Sequence, residues 1–205
     1  MDYINTINEL EDLYDTPAEA SIIKVVKKIT PGYRKWINQS KFCIISTVGP
    51  EGTDASPRGD ENAVALELDE QTLAIPDWRG NNRIDSLRNI IRDERISLMF
   101  FVHGSNNVIR INGKAKITTD EALSTKFERK TSNRTIRPRS IIIIKVEEIY
   151  SQCARALMRS KIWQEDPNIA NLPTIGDLLK DATEGEFDGT TYDKEWSARA
   201  AKTMW

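Results

Sequence analysis

The sequence predicts a mainly β protein, built as a small antiparallel barrel with flanking helices. Its first half contains apolar, β-branched stretches separated by short turns, a pattern that indicates an antiparallel meander. Its second half repeats this pattern with longer stretches, and few helical segments lie between them. The chain has 205 residues without a repeat or a linker, so we expect one domain, 1–205, with a complete core.

The N-terminal region, residues 1–34, is expected to be helical. A first helix is predicted at 17–28, with Thr16 as its N-cap, and the turn that begins at Thr30 is expected to end it. A second helical segment, 32–39, leads into the first strand.

The predicted strands form the barrel core, at about residues 35–165. The strongest candidate, Ile141–Val146, is almost entirely β-branched, and Val108–Thr118 alternates apolar with polar residues. Ala63–Leu68 either continues the strand before it or forms one of its own. The other predicted strands are 41–48, Thr53–Arg58, Thr72–Pro76 and Ile96–Val102. Six or so strands with few intervening helices favour a small barrel.

The remaining helices are predicted from apolar residues at helical spacing. In 82–92, the residues Ile84, Leu87, Ile90 and Ile91 fall on one face. The other predicted helices are Thr119–Lys130, part of Ala154–Trp163, and 193–204. Residues 166–205 form a C-terminal extension with an acidic middle.

Composition excludes several classes of function. The net charge of −2 and the pI of about 5.6 do not suit binding to nucleic acid or to an anionic membrane. No apolar run approaches the roughly 20 residues that cross a bilayer, and the acidic N-terminus does not resemble a signal peptide, so we expect a cytoplasmic protein. With only Cys43, Cys153 and His103 available, a zinc site or a histidine-dependent triad is not expected.

The junction between the strand ending at Pro76 and the helix after it carries an unusual concentration of polar residues. Asn82 and Asp85 have a structural explanation as a helix cap and its partner. Arg79 and Arg83 do not, because the start of a helix already carries partial positive charge. Arginines beside free backbone N–H groups suit a bound anion, of which phosphate is the simplest, and Gly80 would let the backbone approach it.

Three other segments have both a structural and a functional interpretation. Arg58, in the motif SPRGD, either ends a strand or flanks the same anion. The segment CARALMRSKIW, 153–163, either covers the barrel or places Arg159, Lys161 or Trp163 at the rim of a ligand site. The loop 129–139 has five basic residues and no acidic one, so it is either a solvated loop or the border of a pocket for an acidic substrate.

Taken together, these motifs resemble a known family. The order SPRGD, PDWRGNNR, ERISLMFFV, IRINGKAKIT, RPRSIIIIKVEEIY and CARALMRSKIW is similar to that of the pyridoxamine 5′-phosphate oxidase-like proteins. The resemblance covers roughly residues 35–165. It is closest to the subgroup with the motifs S-P-R-G-D, P-D-x-x-G-N-N-R and C-x-x-A-L-x-R-S-x-x-W.

The resemblance implies a six-stranded Greek-key split barrel that binds FMN at the interface of a homodimer. It implies that Asn81, Asn82 and Arg83 contact the phosphate, with Arg79 beside them. The other cofactor contacts that it implies are Pro76 and Asp77 beside the ring or the ribityl chain, Arg58 and Gly59 at the phosphate or the ring edge, Arg110 toward the partner's flavin, and Arg159 and Trp163 closing the pocket.

The function that the resemblance implies is that of an FMN-dependent oxidoreductase acting on a small molecule. Pyridoxamine phosphate is not the expected substrate, because the C-terminal region lacks the histidine that true oxidases of this substrate use. Two alternatives stay open, a flavin-binding or redox-sensing protein without turnover, and a split barrel that binds F420 or haem.

Overall fold

The computed structural model describes residues 1–131, 134–165 and 172–204. One antiparallel sheet of seven strands forms its centre, which confirms the mainly β prediction. These strands are β1 Phe42–Gly49, β2 Gly52–Gly59, β3 Leu66–Asp69, β4 Thr72–Asp77, β5 Arg95–Phe101, β6 Val108–Thr118 and β9 Ser140–Gln152. They pair in the order β2-β1-β5-β6-β9-β4-β3, and the two-residue strands β7 Arg129–Lys130 and β8 Thr135–Ile136 form a separate hairpin.

Helices flank this sheet. They are α1 Ile7–Glu11, α2 Glu19–Ile23, α3 Pro31–Gln39, α4 Asp85–Arg92, α5 Glu121–Lys126, α6 Arg155–Ser160, α7 Ile175–Ala182 and α8 Gly189–Thr203. Across the described ranges, no helix has the length and the apolar character that crossing a bilayer requires.

The core consists mainly of isoleucines on the inner face of the sheet. Burial alternates along β1, where Cys43, Ile45 and Thr47 point inward, as a strand with one buried face requires. Burial raises the pKa of the Cys43 thiol to about 12, so this cysteine packs as an apolar residue. The largest fully buried side chains are Phe100, Ile37, Ile45, Leu73, Ile75, Ile90, Leu98, Ile111, Ile141, Ile142, Ile144 and Ile149.

The long strand β9 bends the sheet into a barrel-like curve. It pairs with β6 along its whole length and with β4 along its first half. The register between β6 and β9 shifts between Asn112 and Gly113, where a Cβ atom on Gly113 would lie 2.0 Å from the Lys145 carbonyl oxygen. This bulge accommodates the bend. The curvature brings the end of β2 to the end of β4, where Arg58 and Asp77 meet.

Helix α4 is fixed against β1 and β2 by polar contacts. The Asn89 side-chain amide donates to the Thr47 hydroxyl at 3.2 Å, and both residues are buried. The Ser86 hydroxyl donates to the Asp54 carboxylate. Because Ile90 is also buried beneath the helix, the N-terminus of α4 has one defined position beside the first half of β2.

The N-terminal helices differ from the prediction. The helix expected at 17–28 is limited to α2, and Ala18 rather than Thr16 precedes it, without a side-chain cap. The chain leaves the helix because Val26 pairs with Ile149 at the end of β9. Thr30 caps α3 rather than ending the first helix, since its hydroxyl accepts from the backbone N–H of Tyr33.

The second half also departs from the predicted boundaries. The strand predicted at Ile141–Val146 continues to Gln152, because pairing with β6 supports residues that periodicity left unassigned. The helix predicted at Thr119–Lys130 is reduced to α5, capped by Asp120. Helix α8 begins four residues before the predicted start at 193, and α7 was not predicted. The division into a barrel core and two extensions stays a prediction.

Candidate functional site

Two adjoining cavities lie where β2, β4 and the start of α4 meet. Cavity A, of about 510 Å³, extends along the loop from β4 to α4, and cavity B, of about 470 Å³, lies toward Val64 and Met204. Both volumes fall within the roughly 300–1,000 Å³ typical of small-molecule sites. The walls common to both are Pro57, Arg58, Trp78, Arg79 and Gly80.

The loop between β4 and α4 has a backbone that the sequence did not predict. Asn82 and Ile84 both have left-handed conformations, with φ of 61° and 55°. Helix α4 therefore begins at Asp85, and its N-cap position is Ile84, which offers no side-chain acceptor. The prediction that Asn82 caps the helix is wrong, and so is the capping role of Asp85, whose carboxylate accepts from Arg83 at 2.8 Å. The first N–H groups of α4 are left without a side-chain cap.

Ile84 is under strain in this loop. A β-branched residue avoids the left-handed region because its Cβ crowds the carbonyl oxygen, at a cost of roughly 1–2 kcal/mol. Its side chain is 49% exposed, so packing recovers only part of that cost. Such strain is often found where a backbone is shaped for binding, and this loop forms the wall of cavity A.

An ion pair joins the ends of β2 and β4 between the two cavities. Arg58 Nη2 lies 3.5 Å from Asp77 Oδ1, and both side chains are largely buried. Burial raises the pKa of the Asp77 carboxyl, and the guanidinium groups of Arg58 and Arg139 offset part of that rise. The Nε atom of Arg58 is buried without a hydrogen-bond partner, so the pair leaves one donor for a ligand.

Arg139 also lines cavity A, although it is distant in sequence from the loop. Its guanidinium donates to Asn82 Oδ1 at 3.0 Å, and its backbone N–H donates to the Asp77 carbonyl oxygen at 3.3 Å. Sequence reasoning placed it in the basic loop 129–139 and did not assign it to the cofactor site. Arg139 comes immediately before β9, the strand that pairs with β4, and this position in the sequence could have indicated that it lies near the site.

Trp78, which the motif contains but no prediction assigned, forms the wall between the cavities. Its indole N–H donates to Asp60 Oδ2 at 3.0 Å, and the Arg129 guanidinium lies 5.1 Å from its ring centroid. Arg129 also pairs with Asp60 and, at 3.2 Å, with Glu61. These contacts hold the Trp78 indole in one orientation. Arg129, from the basic loop 129–139, therefore stabilises the site although it lines neither cavity.

The predicted site residues fall into two groups. The residues that line cavity A or cavity B are Arg58, Gly59, Pro76, Asp77, Arg79, Asn81, Asn82 and Arg83. Arg110, Arg159 and Trp163 line neither cavity within the described part of one protomer. The structure therefore brings eight of the predicted site residues together and places the other three elsewhere, and their role in binding a cofactor stays a prediction.

The residues outside the cavities have partners of their own. Arg110 lies on β6 with its guanidinium 5.2 Å from the Tyr150 ring centroid. Trp163 donates to the Ser105 carbonyl oxygen at 2.8 Å, and its ring centroid lies 5.3 Å from that of His103. Both therefore belong to the end of the barrel formed by the β5–β6 loop.

Comparison with known proteins assigns the family. A family model described as pyridoxamine 5′-phosphate oxidase matches residues 29–153, which is more than half of the chain. The chain belongs to the pyridoxamine 5′-phosphate oxidase family. The matched residues of this pyridoxamine 5′-phosphate oxidase family member include the whole seven-stranded sheet and the lining residues of both cavities apart from Met204. No curated protein matches the chain.

Several solved structures resemble this family member at low identity. HupZ from Group A Streptococcus is 22% identical over 60% of this chain and 93% of its own, with a TM-score of 0.47. General stress protein 26 from Bacillus anthracis is 17% identical over 58% and 88%, with a TM-score of 0.43. An FMN-binding protein from Syntrophomonas wolfei is 13% identical over 58% and 83%, with a TM-score of 0.44.

The strain at Ile84 is testable by stability measurements. We expect Ile84→Asn to raise the free energy of unfolding by about 1 kcal/mol, because asparagine adopts the left-handed conformation at lower cost. Ile91→Asn is the matched control, since Ile91 is an exposed isoleucine in the regular part of α4 and should lose a few tenths of a kcal/mol. Urea unfolding measures both, and equal destabilisation of the two variants would contradict strain at position 84.

Proposed function

We propose that this protein binds FMN in cavities A and B and acts as an FMN-dependent oxidoreductase on a small molecule. The observation that carries the proposal is the arginine-rich loop of cavity A, next to a second cavity with an apolar and aromatic wall. FMN has the matching shape, with a phosphate at one end and a flat ring at the other. Membership of the pyridoxamine 5′-phosphate oxidase family supports this ligand.

Cavity A suits the phosphate of FMN. Its lining includes Arg79, Arg83 and the side-chain amides of Asn81 and Asn82, and the uncapped N–H groups of α4 lie at its edge. Charged and backbone donors of this kind form the strong hydrogen bonds that phosphate accepts. A Cβ atom added to Gly80 would meet no atom within 4 Å, so the backbone faces open space there.

Cavity B suits the ring. Pro57, Pro76, Val64 and Trp78 supply apolar surface, and Arg58, whose buried Nε has no hydrogen-bond partner, lines both cavities. Apolar walls of this kind hold a planar ring by contact with its faces, and a few hydrogen-bond donors fix its position within the cavity. Gly59 lines cavity B and Asp77 lines cavity A, so each would lie near the ring or the ribityl chain.

The chain's own residues bind, orient and shield the cofactor. The flavin, when bound, supplies the redox chemistry, and the protein supplies position and electrostatics. Arg58 would direct its unpaired donor to the ring or ribityl chain, while Asp77 holds the Arg58 guanidinium in place. Hydride transfer from a stacked substrate requires no acid, base or nucleophile from these residues.

The position of His103 argues against a histidine-ligated haem in this cleft. Haem requires an axial ligand, and His103 is the only histidine of the chain. Its ring packs against Trp163 and it lines neither cavity.

We also propose that two copies associate and that Arg110, Arg159 and Trp163 act on the partner's cofactor. The N-terminal segment carries many exposed apolar side chains, and such a surface is typical of an interface. These side chains are Ile4, Ile7, Leu10, Leu13, Tyr14, Ile22 and Ile23. A second copy would cover this segment and bring the β5–β6 end of one barrel toward the cleft of the other.

The first prediction concerns the phosphate. Purified protein titrated with FMN should show the two-band flavin spectrum, and Arg83→Ala should weaken binding about 10- to 100-fold, the effect of losing one charge-assisted hydrogen bond. Arg92→Ala is the control, because Arg92 lies at the far end of α4 and pairs with Glu51. A protein that does not change the flavin spectrum would contradict the proposed function.

Gly80 provides a second test that leaves charge unchanged. Gly80→Ala should leave the melting temperature as it is, because its added methyl meets no protein atom and its φ is not positive. The methyl should lower FMN affinity about tenfold if the cofactor approaches the backbone there. Thermal unfolding without ligand and a flavin titration measure the two effects, and unchanged affinity would place the ligand away from Gly80.

A mixed dimer tests the contribution of Arg110 from the partner. When Arg83→Ala and Arg110→Ala protomers are mixed, one site of each heterodimer carries both changes and the other carries neither. Random pairing makes about half of the dimers heterodimers, so about a quarter of the wild-type flavin content should return. Combining Arg83→Ala with Arg58→Ala is the control, because both residues lie in one protomer's cleft and no intact site can form. If flavin content recovers in neither mixture, Arg110 does not act on the partner's site.

A further inference from the structure

We propose that Arg139 is a phosphate-binding residue of cavity A, specific for a phosphate monoester dianion. This inference rests on the proposed function and adds to it a cation that no motif of the loop contains. The ligand class follows from the geometry of the side chain, from its anchoring and from the charges around it.

The backbone fixes where the Arg139 side chain starts. Its N–H donates to the carbonyl oxygen of Asp77, and the next residue, Ser140, is the register partner of Asp77. Arg139 therefore leaves the sheet at the point where β4 ends and the polar loop begins. Its guanidinium then reaches across to Asn82, on the far side of that loop.

The contact with Asn82 prepares both residues to bind an anion. The Oδ1 atom of Asn82 accepts from Arg139, so the remaining group of the amide is the Nδ2 donor. No acceptor within the described residues engages that donor. The left-handed backbone of Asn82 holds the amide on the cavity wall. Two donors from distant parts of the chain thus lie side by side.

The charges of cavity A leave Arg139 available for an anion. Arg58 pairs with Asp77, Arg83 pairs with Asp85, and the remaining aspartate, Asp54, accepts from Ser86. Within the described residues, Arg79 and Arg139 have no carboxylate at salt-bridge distance. Two guanidinium groups without carboxylate partners match a phosphate monoester, whose charge near neutral pH is about −1.5 to −2.

The other arginines of the basic loop differ from Arg139 in their partners. Arg137 lies 2.8 Å from Glu128 and 3.7 Å from Glu121, and Arg129 pairs with Asp60 and Glu61. Arg137 is therefore a matched control. It lies two residues from Arg139 and has the same charge, but it pairs with glutamates and does not line cavity A.

The experiment compares FMN with riboflavin, which lacks the phosphate. Quenching of flavin fluorescence gives the dissociation constant of each for the wild type, Arg139→Ala, Arg139→Gln and Arg137→Ala. Both Arg139 variants should lose about 10- to 100-fold in FMN affinity while riboflavin affinity stays unchanged, and Arg137→Ala should change neither. Arg139→Gln keeps a donor for Asn82 without the charge, so it retains the loop if Arg139→Ala unfolds.

The outcomes separate this inference from the proposed function. A wild type that binds neither flavin overturns both. A wild type that binds FMN, with Arg139 variants that lose FMN and riboflavin equally or lose neither, overturns the role of Arg139 alone. If both Arg139 variants lose affinity for FMN but not for riboflavin, the result supports Arg139 as a phosphate-binding residue.

Discussion

The end of β4 is the point on which the rest of the site depends. Asp77 is held there by the register with Ser140, and its carboxylate is drawn into a largely buried position beside Arg58. Burying a carboxylate is costly unless a cation compensates, so the Arg58 guanidinium offsets part of that cost where β2 meets β4. The two cavities exist because the sheet curves far enough to make that contact.

The barrel was predictable because its strands carry strong local signals. Alternation and β-branching identified the segments that became β1, β6 and β9, since the inner face of a sheet requires a period of two. The ends of elements were less predictable. Residue 26 left its helical pattern because a distant strand offered it a hydrogen-bonding partner, and β9 continued past residue 146 because β6 supported it. Such boundaries depend on pairing between residues far apart in sequence, which periodicity does not report.

The candidate site, too, was predicted only where its signal is local in the sequence. Arg79 and Arg83 stood out because the residues around them are consecutive and their charge conflicts with a helix start. The backbone conformation of the loop that carries these arginines could not be predicted. A left-handed isoleucine goes against local preference, and the packing of the helix that follows stabilises it. Arg139 was placed in the right loop, but its position in cavity A follows from the β4–β9 register alone.

The acidic composition and the basic cavity are compatible because electrostatics near a site is local. A net charge of −2 opposes binding to a polyanion, which samples the potential of a whole face of the protein. A single phosphate samples only the groups within about one Debye length, roughly 8 Å at physiological ionic strength. Within cavity A the aspartates are already engaged by Arg58, Arg83 and Ser86, so they contribute less to the field there than their number implies. The net charge of −2 therefore argues against a polyanion but not against a small phosphorylated ligand, because the local field depends on which arginines lack a carboxylate partner.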